Sequence, residues 1–223
     1  MGAHFYRTCR SVGRFIQWQT MRQVVLNAET ADRAGGFVLA CSHLSHLEPF
    51  IVSGAIERHV RWMARIEFYQ RRWQSFALNH GGAFPIDRFG RSLPAVRTAV
   101  RLALAGECVG IFPEGGVTRG CESVLRGAPI KQGVCTIAVQ TRLPVIPVVV
   151  LGTDRLNSVK PWLPLRRTRL WIAFGNDVLP PPRSDSRRAD RAEMALRLRK
   201  EYVHTYQHLL SASRGEITDA MVP

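Results

Sequence analysis

Apolar residues gather in short runs separated by polar, glycine-rich punctuation. Phe37 to Cys41 (FVLAC), Val109 to Phe112 (VGIF), Val145 to Leu151 (VIPVVVL) and Arg169 to Phe174 (RLWIAF) have strand length. Unbroken apolarity in the first and third predicts strands buried on both faces. Arg61 to Ala64 and Phe84 to Ile86 read as shorter strands. Between these runs the pattern changes to helical. Helices are predicted around Pro49 to Arg58, Phe68 to Leu78, Ser92 to Ala105, Lys131 to Thr141 and Ala189 to Leu210. Pro94 near one start and Gly106 just past the same helix's end fit the usual punctuation. Strands alternating with helices predict an α/β fold: a layered sandwich with a central, mostly parallel sheet flanked by helices.

Ahead of this core, residues 4–26 have apolar positions at near-helical spacing (Phe5, Val12, Phe15, Ile16, Val24). Arg7, Arg10, Arg14 and Arg22 lie in the same stretch, with no acidic residue before Glu29. A basic, aromatic-rich amphipathic helix fits a membrane interface, and it fits packing on its own domain equally well. The expected organisation is an N-terminal interface helix over 1–30, a core domain over 31–180, and a C-terminal helix and tail over 181–223. Pro180-Pro181-Pro182 forms the junction.

Charge sharpens the picture. Among 223 residues, 31 Lys and Arg against 17 Asp and Glu give a net charge of +14. Such a surface attracts polyanions: nucleic acid, an anionic membrane or an acidic carrier protein. No run of 18 apolar residues is present, since the stretch from Val134 to Leu151 is interrupted by Gln140, Arg142, Pro144 and Pro147. The N-terminus lacks the apolar core of a secretory signal. Five scattered cysteines without a C-x-x-C pair argue against a disulfide framework or thiolate zinc site and for a reducing compartment.

Three polar segments follow predicted strands, where α/β folds place ligand sites. Ser42 to Pro49 (SHLSHLEP) sets Glu48 five positions after His43, so the carboxylate can orient the imidazole as a general base. Ser45 and Glu48 equally fit a helix capping box. Gly81 to Arg88 (GGAFPIDR) ends in an Asp-Arg pair, which also suits a solvated turn. Ile111 to Gly120 (IFPEGGVTRG) combines a carboxylate, glycines and an arginine, and loop amides with an arginine suit a phosphate.

In order and spacing the three segments resemble the glycerolipid acyltransferases typified by lysophosphatidic acid acyltransferase (1-acylglycerol-3-phosphate O-acyltransferase). That family carries N-H-x-S-x-x-D-P, G-x-x-x-I-D/N-R, F-P-E-G-T-R-S and a P-V-x-P-V strand. Here these correspond to Ser42 through Pro49, Gly82 through Arg88, Phe112 through Arg119, and Pro144 through Val148. Trp62 through Phe68 is similar to the family's F-M-A-K-x-E-L/F, and Lys131-Gln132-Gly133 to its F-K-x-G. The resemblance covers roughly residues 35–153. It implies that His43 is the general base, oriented by Glu48 in the place of an aspartate one methylene shorter. It implies phosphate-binding roles for Arg88 and Arg119, a similar contact from Arg65, and an acceptor loop shaped by Glu114 and Gly115. The third segment holds two residues more than F-P-E-G-T-R-S, Gly116 and Val117.

The implied reaction moves a fatty acyl chain from a thioester on coenzyme A or acyl carrier protein to a lyso-phospholipid hydroxyl. No cofactor beyond that co-substrate and no metal is expected. A non-phosphate acceptor such as an amino-acid lyso-lipid is the alternative. A basic nucleic-acid-binding protein is the alternative of another class, but no known binding module or basic face with interleaved aromatics accompanies the charge, so no nucleic acid is expected. A metal hydrolase built on His43, His46 and Glu48 is a weaker signal still. The expected partners are an anionic membrane surface, the lyso-lipid and the acyl carrier. The expected location is cytoplasmic, on the inner face of the cell membrane. Arg155, Lys160, Arg166, Arg167 and Arg169, with Trp18 and Trp162, are the candidate surface contacts.

Overall fold

The structure is a computed structural model, and it describes residues 2–87, 93–118, 120–153 and 168–217. Helix α1 (Gly2–Thr20) runs directly into strand β1 (Met21–Leu26). There follow β2 (Phe37–Cys41), α2 (Glu48–Ala55), β3 (Val60–Arg65), α3 (Arg72–His80), β4 (Phe84–Ile86) and α4 (Leu93–Leu104). The chain continues through β5 (Cys108–Ile111), α5 (Gln132–Thr141), β6 (Val145–Leu151), β7 (Thr168–Phe174) and α6 (Arg187–Ala212). The strands form one sheet in the order β1-β7-β6-β2-β5-β3-β4. Every neighbouring pair is parallel except β6–β7.

Side chains alternate across the sheet, so each apolar run supplies two cores. From β2, Val38 and Ala40 join Ala99, Ala103, Ile137, Leu198 and Tyr202, contributed by α4, α5 and α6. Phe37, Leu39 and Cys41 face the other way, onto Ile51 and Val52 of α2. β6 divides likewise, with Val149 and Leu151 on the first side and Ile146, Val148 and Val150 on the second. Helices on both faces explain why these strands lack polar positions.

The expected helix over 4–26 stops at Thr20, and its last six residues are β1 instead. Val24 and Val25 are β-branched, and pairing with β7 from Met21↔Thr168 to Leu26↔Ala173 overrides the local periodicity. The helix expected over Phe68 to Leu78 divides into a 3₁₀ turn (Ile66–Tyr69) and α3. Pro147 lies within β6, where a proline removes a ladder bond. Its carbonyl accepts from Gly175 N (2.8 Å) just past the end of β7, so the missing N–H falls where that ladder has stopped.

What matters for chemistry is that β6, β2, β5, β3 and β4 are mutually parallel neighbours. Their carboxyl ends therefore share one edge, and the described residues immediately after Leu151, Cys41, Ile111, Arg65 and Ile86 lie along it.

Candidate active site

Ser42 turns the chain out of β2. Its N–H still bonds Val148 O (2.9 Å), while its hydroxyl substitutes for a ladder carbonyl by accepting from Val150 N (3.0 Å). His43 follows, and five residues on Glu48 begins α2. The turn between them folds the carboxylate back: His43 Nδ1 and Glu48 Oε2 are 2.7 Å apart. Glu48 is fully buried. Its other oxygen accepts from Leu44 N (2.9 Å), Ser45 N (2.6 Å) and Thr153 Oγ1 (2.7 Å). The contact with the imidazole and half of the capping box thus coexist; the Ser45 hydroxyl accepts from Leu47 N (3.3 Å) rather than completing the box.

A second carboxylate grips the same histidine through its backbone. Glu114, in the loop after β5, accepts from His43 N at Oε2 (2.6 Å). Its Oε1 accepts from Ser123 Oγ (3.0 Å) and Val124 N (2.9 Å). Thr118 N in turn donates to His43 O (3.1 Å), so the third segment holds both sides of the histidine's main chain. Burial pushes the Glu114 carboxyl above its ordinary value, against the hydrogen bonds it receives from Val124, His43 and Ser123. Gly115 adopts φ +74°, a left-handed conformation that glycine accepts without strain. The Lys131 side chain lies beside it, and Lys131 N donates to Pro113 O (2.9 Å). Burial, then the charges of Glu48 and Glu114, push the neighbouring Cys41 thiol well up. Cys41, two positions before the histidine, is a fully buried residue of β2, and a raised pKa disfavours the thiolate form that a nucleophile needs.

An aromatic column backs the imidazole. Phe112 stacks on His43 (centroids 4.0 Å, 25°) and Trp62 on Phe112 (5.3 Å, 17°). Trp62 Nε1 donates to Ser53 Oγ (2.9 Å). A side chain at Gly110 would collide with the Trp62 ring, which explains the glycine inside β5. His46 contacts His43 and Phe68 edge-on (5.9 and 6.4 Å).

Of the sequence-predicted site residues, His43, Glu48, Glu114 and Gly115 are brought together. Arg65, at the end of β3, is paired with Glu67 (3.2 Å) and stands over the Phe68 ring (5.9 Å). Arg88 and Arg119 lie outside the described residues, as do Arg155, Lys160, Trp162, Arg166 and Arg167. Thr153 and Ser123 went unselected in the sequence. Thr153 follows Gly152, just past the end of β6, and meets the same strand-end criterion as His43; Ser123 carries no comparable signal. Among the described residues, no group of three or more His, Cys, Asp or Glu is arranged to hold a metal ion.

α1 lies across α2 and α3. Tyr6 stacks on His59 (3.6 Å) and Phe5 packs against Phe76 (5.9 Å). Arg10 and Arg14 both pair with Glu57. Those two arginines are thereby engaged within the protein, while Arg7 is exposed. On the other side of α1, Val12, Phe15, Ile16 and Trp18 are exposed, the last by 74%. Phe50 of α2, two residues from Glu48, is 64% exposed, and Phe68 and Trp73 are exposed as well. Among the described residues, no helix is long and apolar enough to cross a membrane.

Comparison with known proteins identifies the family and the fold. A family model described as Acyltransferase matches residues 22–151. The chain is 34% identical over 148 residues to a protein of Bacillus subtilis (strain 168) named 1-acyl-sn-glycerol-3-phosphate acyltransferase, covering 66% of this chain and 71% of that one. The crystal structure of the 1-acyl-sn-glycerophosphate (LPA) acyltransferase from Thermotoga maritima superposes with a TM-score of 0.64 at 18% identity. That match covers 96% of this chain and 80% of the other, and it establishes a shared fold.

Proposed function

Since this chain belongs to the acyltransferase family, we propose that it transfers a fatty acyl group from a thioester of coenzyme A or acyl carrier protein to the hydroxyl of a lyso-phospholipid such as lysophosphatidic acid. The observation that carries this reading is the His43–Glu48 pair, 2.7 Å apart at the carboxyl edge of the sheet. With Nδ1 engaged by a buried carboxylate, Nε2 is the ring atom left for a substrate proton. His43 takes the proton of the acceptor hydroxyl as its oxygen attacks the thioester carbonyl. The new C–O bond forms, the C–S bond breaks, and the proton passes to the departing thiolate. Thiolate leaves readily, so no acyl-enzyme intermediate is required. The Bacillus subtilis relative's name supports a phosphate-bearing acceptor, with Arg88, Arg119 and Arg65 as the cations to meet it. The two added loop residues, Gly116 and Val117, favour an amino-acid lyso-lipid as the second reading.

The exposed apolar face beside the site and the net charge of +14 support peripheral attachment to an anionic bilayer. The acceptor's tails would then lie in the lipid while its hydroxyl reaches His43.

The test is thiol release and lipid product formation from acyl-CoA and acyl carrier protein, against a panel of phosphate and amino-acid lyso-lipids. His43→Ala is expected to lower the rate by about a thousandfold. A fully active His43→Ala protein would overturn the mechanism, and the panel decides the acceptor.

A further inference from the structure

The geometry points to Thr153 as a positioning residue, which we infer holds Glu48 Oε1 so that Oε2 is aimed at His43 Nδ1. This inference rests on the general-base reading above. Both Thr153 and Glu48 are fully buried, and their oxygens are 2.7 Å apart. Glu48 Oε1 receives three donors, but they differ in what they are attached to. Leu44 N and Ser45 N belong to the same loop as His43 and move with it. Thr153 stands just past the end of β6 and reaches across 105 positions of sequence. β6 is joined rigidly to β2 by the parallel ladder ending at Cys41↔Val148, and by the Val150 N bond to the Ser42 hydroxyl (3.0 Å). Thr153 is thus the donor that ties the dyad to the sheet rather than to its own loop. A carboxylate is planar and rigid, so fixing one oxygen and the side-chain stem fixes the line of approach of the other.

The length of Glu48 gives this contact its purpose. A glutamate carries its carboxylate about 1.5 Å further from the backbone than an aspartate, one carbon–carbon bond. The added rotatable bond also adds freedom that catalysis has to suppress. The Thr153 hydroxyl meets the carboxylate where that extra methylene places it. Withdrawing it leaves a buried carboxylate with one donor fewer and a histidine whose partner can turn away.

The experiment compares wild type, Thr153→Val, Thr153→Ser, Glu48→Asp and the double variant Glu48→Asp/Thr153→Val in thiol release from acyl-CoA with lysophosphatidic acid, alongside melting temperatures. Thr153→Val, nearly isosteric, is expected to lower kcat by about ten- to a hundredfold with both KM values within about twofold. Thr153→Ser restores most of the loss. In the Glu48→Asp background the shorter carboxylate has already left Thr153, so the added Val changes kcat by less than about twofold. Should the Val protein not fold, Thr153→Ala is read the same way. The inference is overturned by full kcat in Thr153→Val, by a change confined to KM, by a Ser variant no better than Val, or by losses that simply multiply in the double variant. His43→Ala in the same assay separates the two failures. An active His43→Ala protein sinks the general-base reading, whereas an inactive one beside a fully active Thr153→Val sinks only the role of Thr153.

Discussion

Glu48 and Glu114 both bury a carboxyl group against His43, yet one touches the ring and the other the main chain. Glu114 uses both oxygens as acceptors, from His43 N on one side and from Ser123 and Val124 on the other. It acts as an inward brace between two loops. Glu114→Gln tests this directly, since an amide presents N–H where a second acceptor is needed. Whichever way the amide turns, its NH₂ faces the backbone N–H of His43 or of Val124. The expected cost is about 1–3 kcal/mol of folding stability, read from chemical denaturation; unchanged stability would remove Glu114 from this role. In the sequence the carboxylate of Phe-Pro-Glu-Gly stood out as a candidate site residue. Its direction was not, because nothing in the local pattern says that the loop folds back onto His43.

At the scale of elements, α1 is held by side-chain contacts, among them a titratable one at His59. His59 is half buried under Tyr6 and donates from Nε2 to Gly81 O at 2.9 Å. Burial, then the nearby Arg61 charge, lowers its pKa from the ordinary 6.5, against the Gly81 hydrogen bond and Glu107. The folded state therefore favours neutral imidazole. This contribution to stability is fully present above pH 6.5 and is lost as pH falls through that value towards the depressed one. Melting temperature is expected to drop between pH 7.5 and 5.5 by more in wild type than in His59→Phe, which keeps a ring under Tyr6 without a titrating nitrogen. Equal slopes would show that His59 does not govern the packing of α1. Helix α1 was legible as amphipathic, but its end was not. Met21 to Leu26 is a strand because β7 is there to pair with it, and β7 lies 147 positions away.

Over the whole molecule, charge and apolar exposure act together. Basic residues near an anionic surface contribute about 1 kcal/mol each and are screened by salt, whereas inserted aromatic rings are not. Co-sedimentation with phosphatidylglycerol-containing vesicles is expected to weaken with salt in wild type and to retain a salt-resistant part. Phe15→Asp with Trp18→Asp removes that remainder while leaving the melting temperature near wild type, because both side chains are exposed. Undiminished high-salt binding in this variant would place the membrane contact elsewhere.

The layered α/β architecture was legible because strands covered on both faces must be continuously apolar, as Phe37 to Cys41 and Val145 to Leu151 are. The histidine–glutamate pair was equally legible, because five positions of chain at a strand end keep two side chains within reach of each other whatever the rest of the fold does. The tertiary structure alone decided which groups complete that pair. Thr153 meets Glu48 only because β6 and β2, far apart in sequence, end at the same edge, and Ser123 meets Glu114 only because the segment between β5 and α5 folds back on itself; neither meeting leaves a periodicity for a local pattern to record.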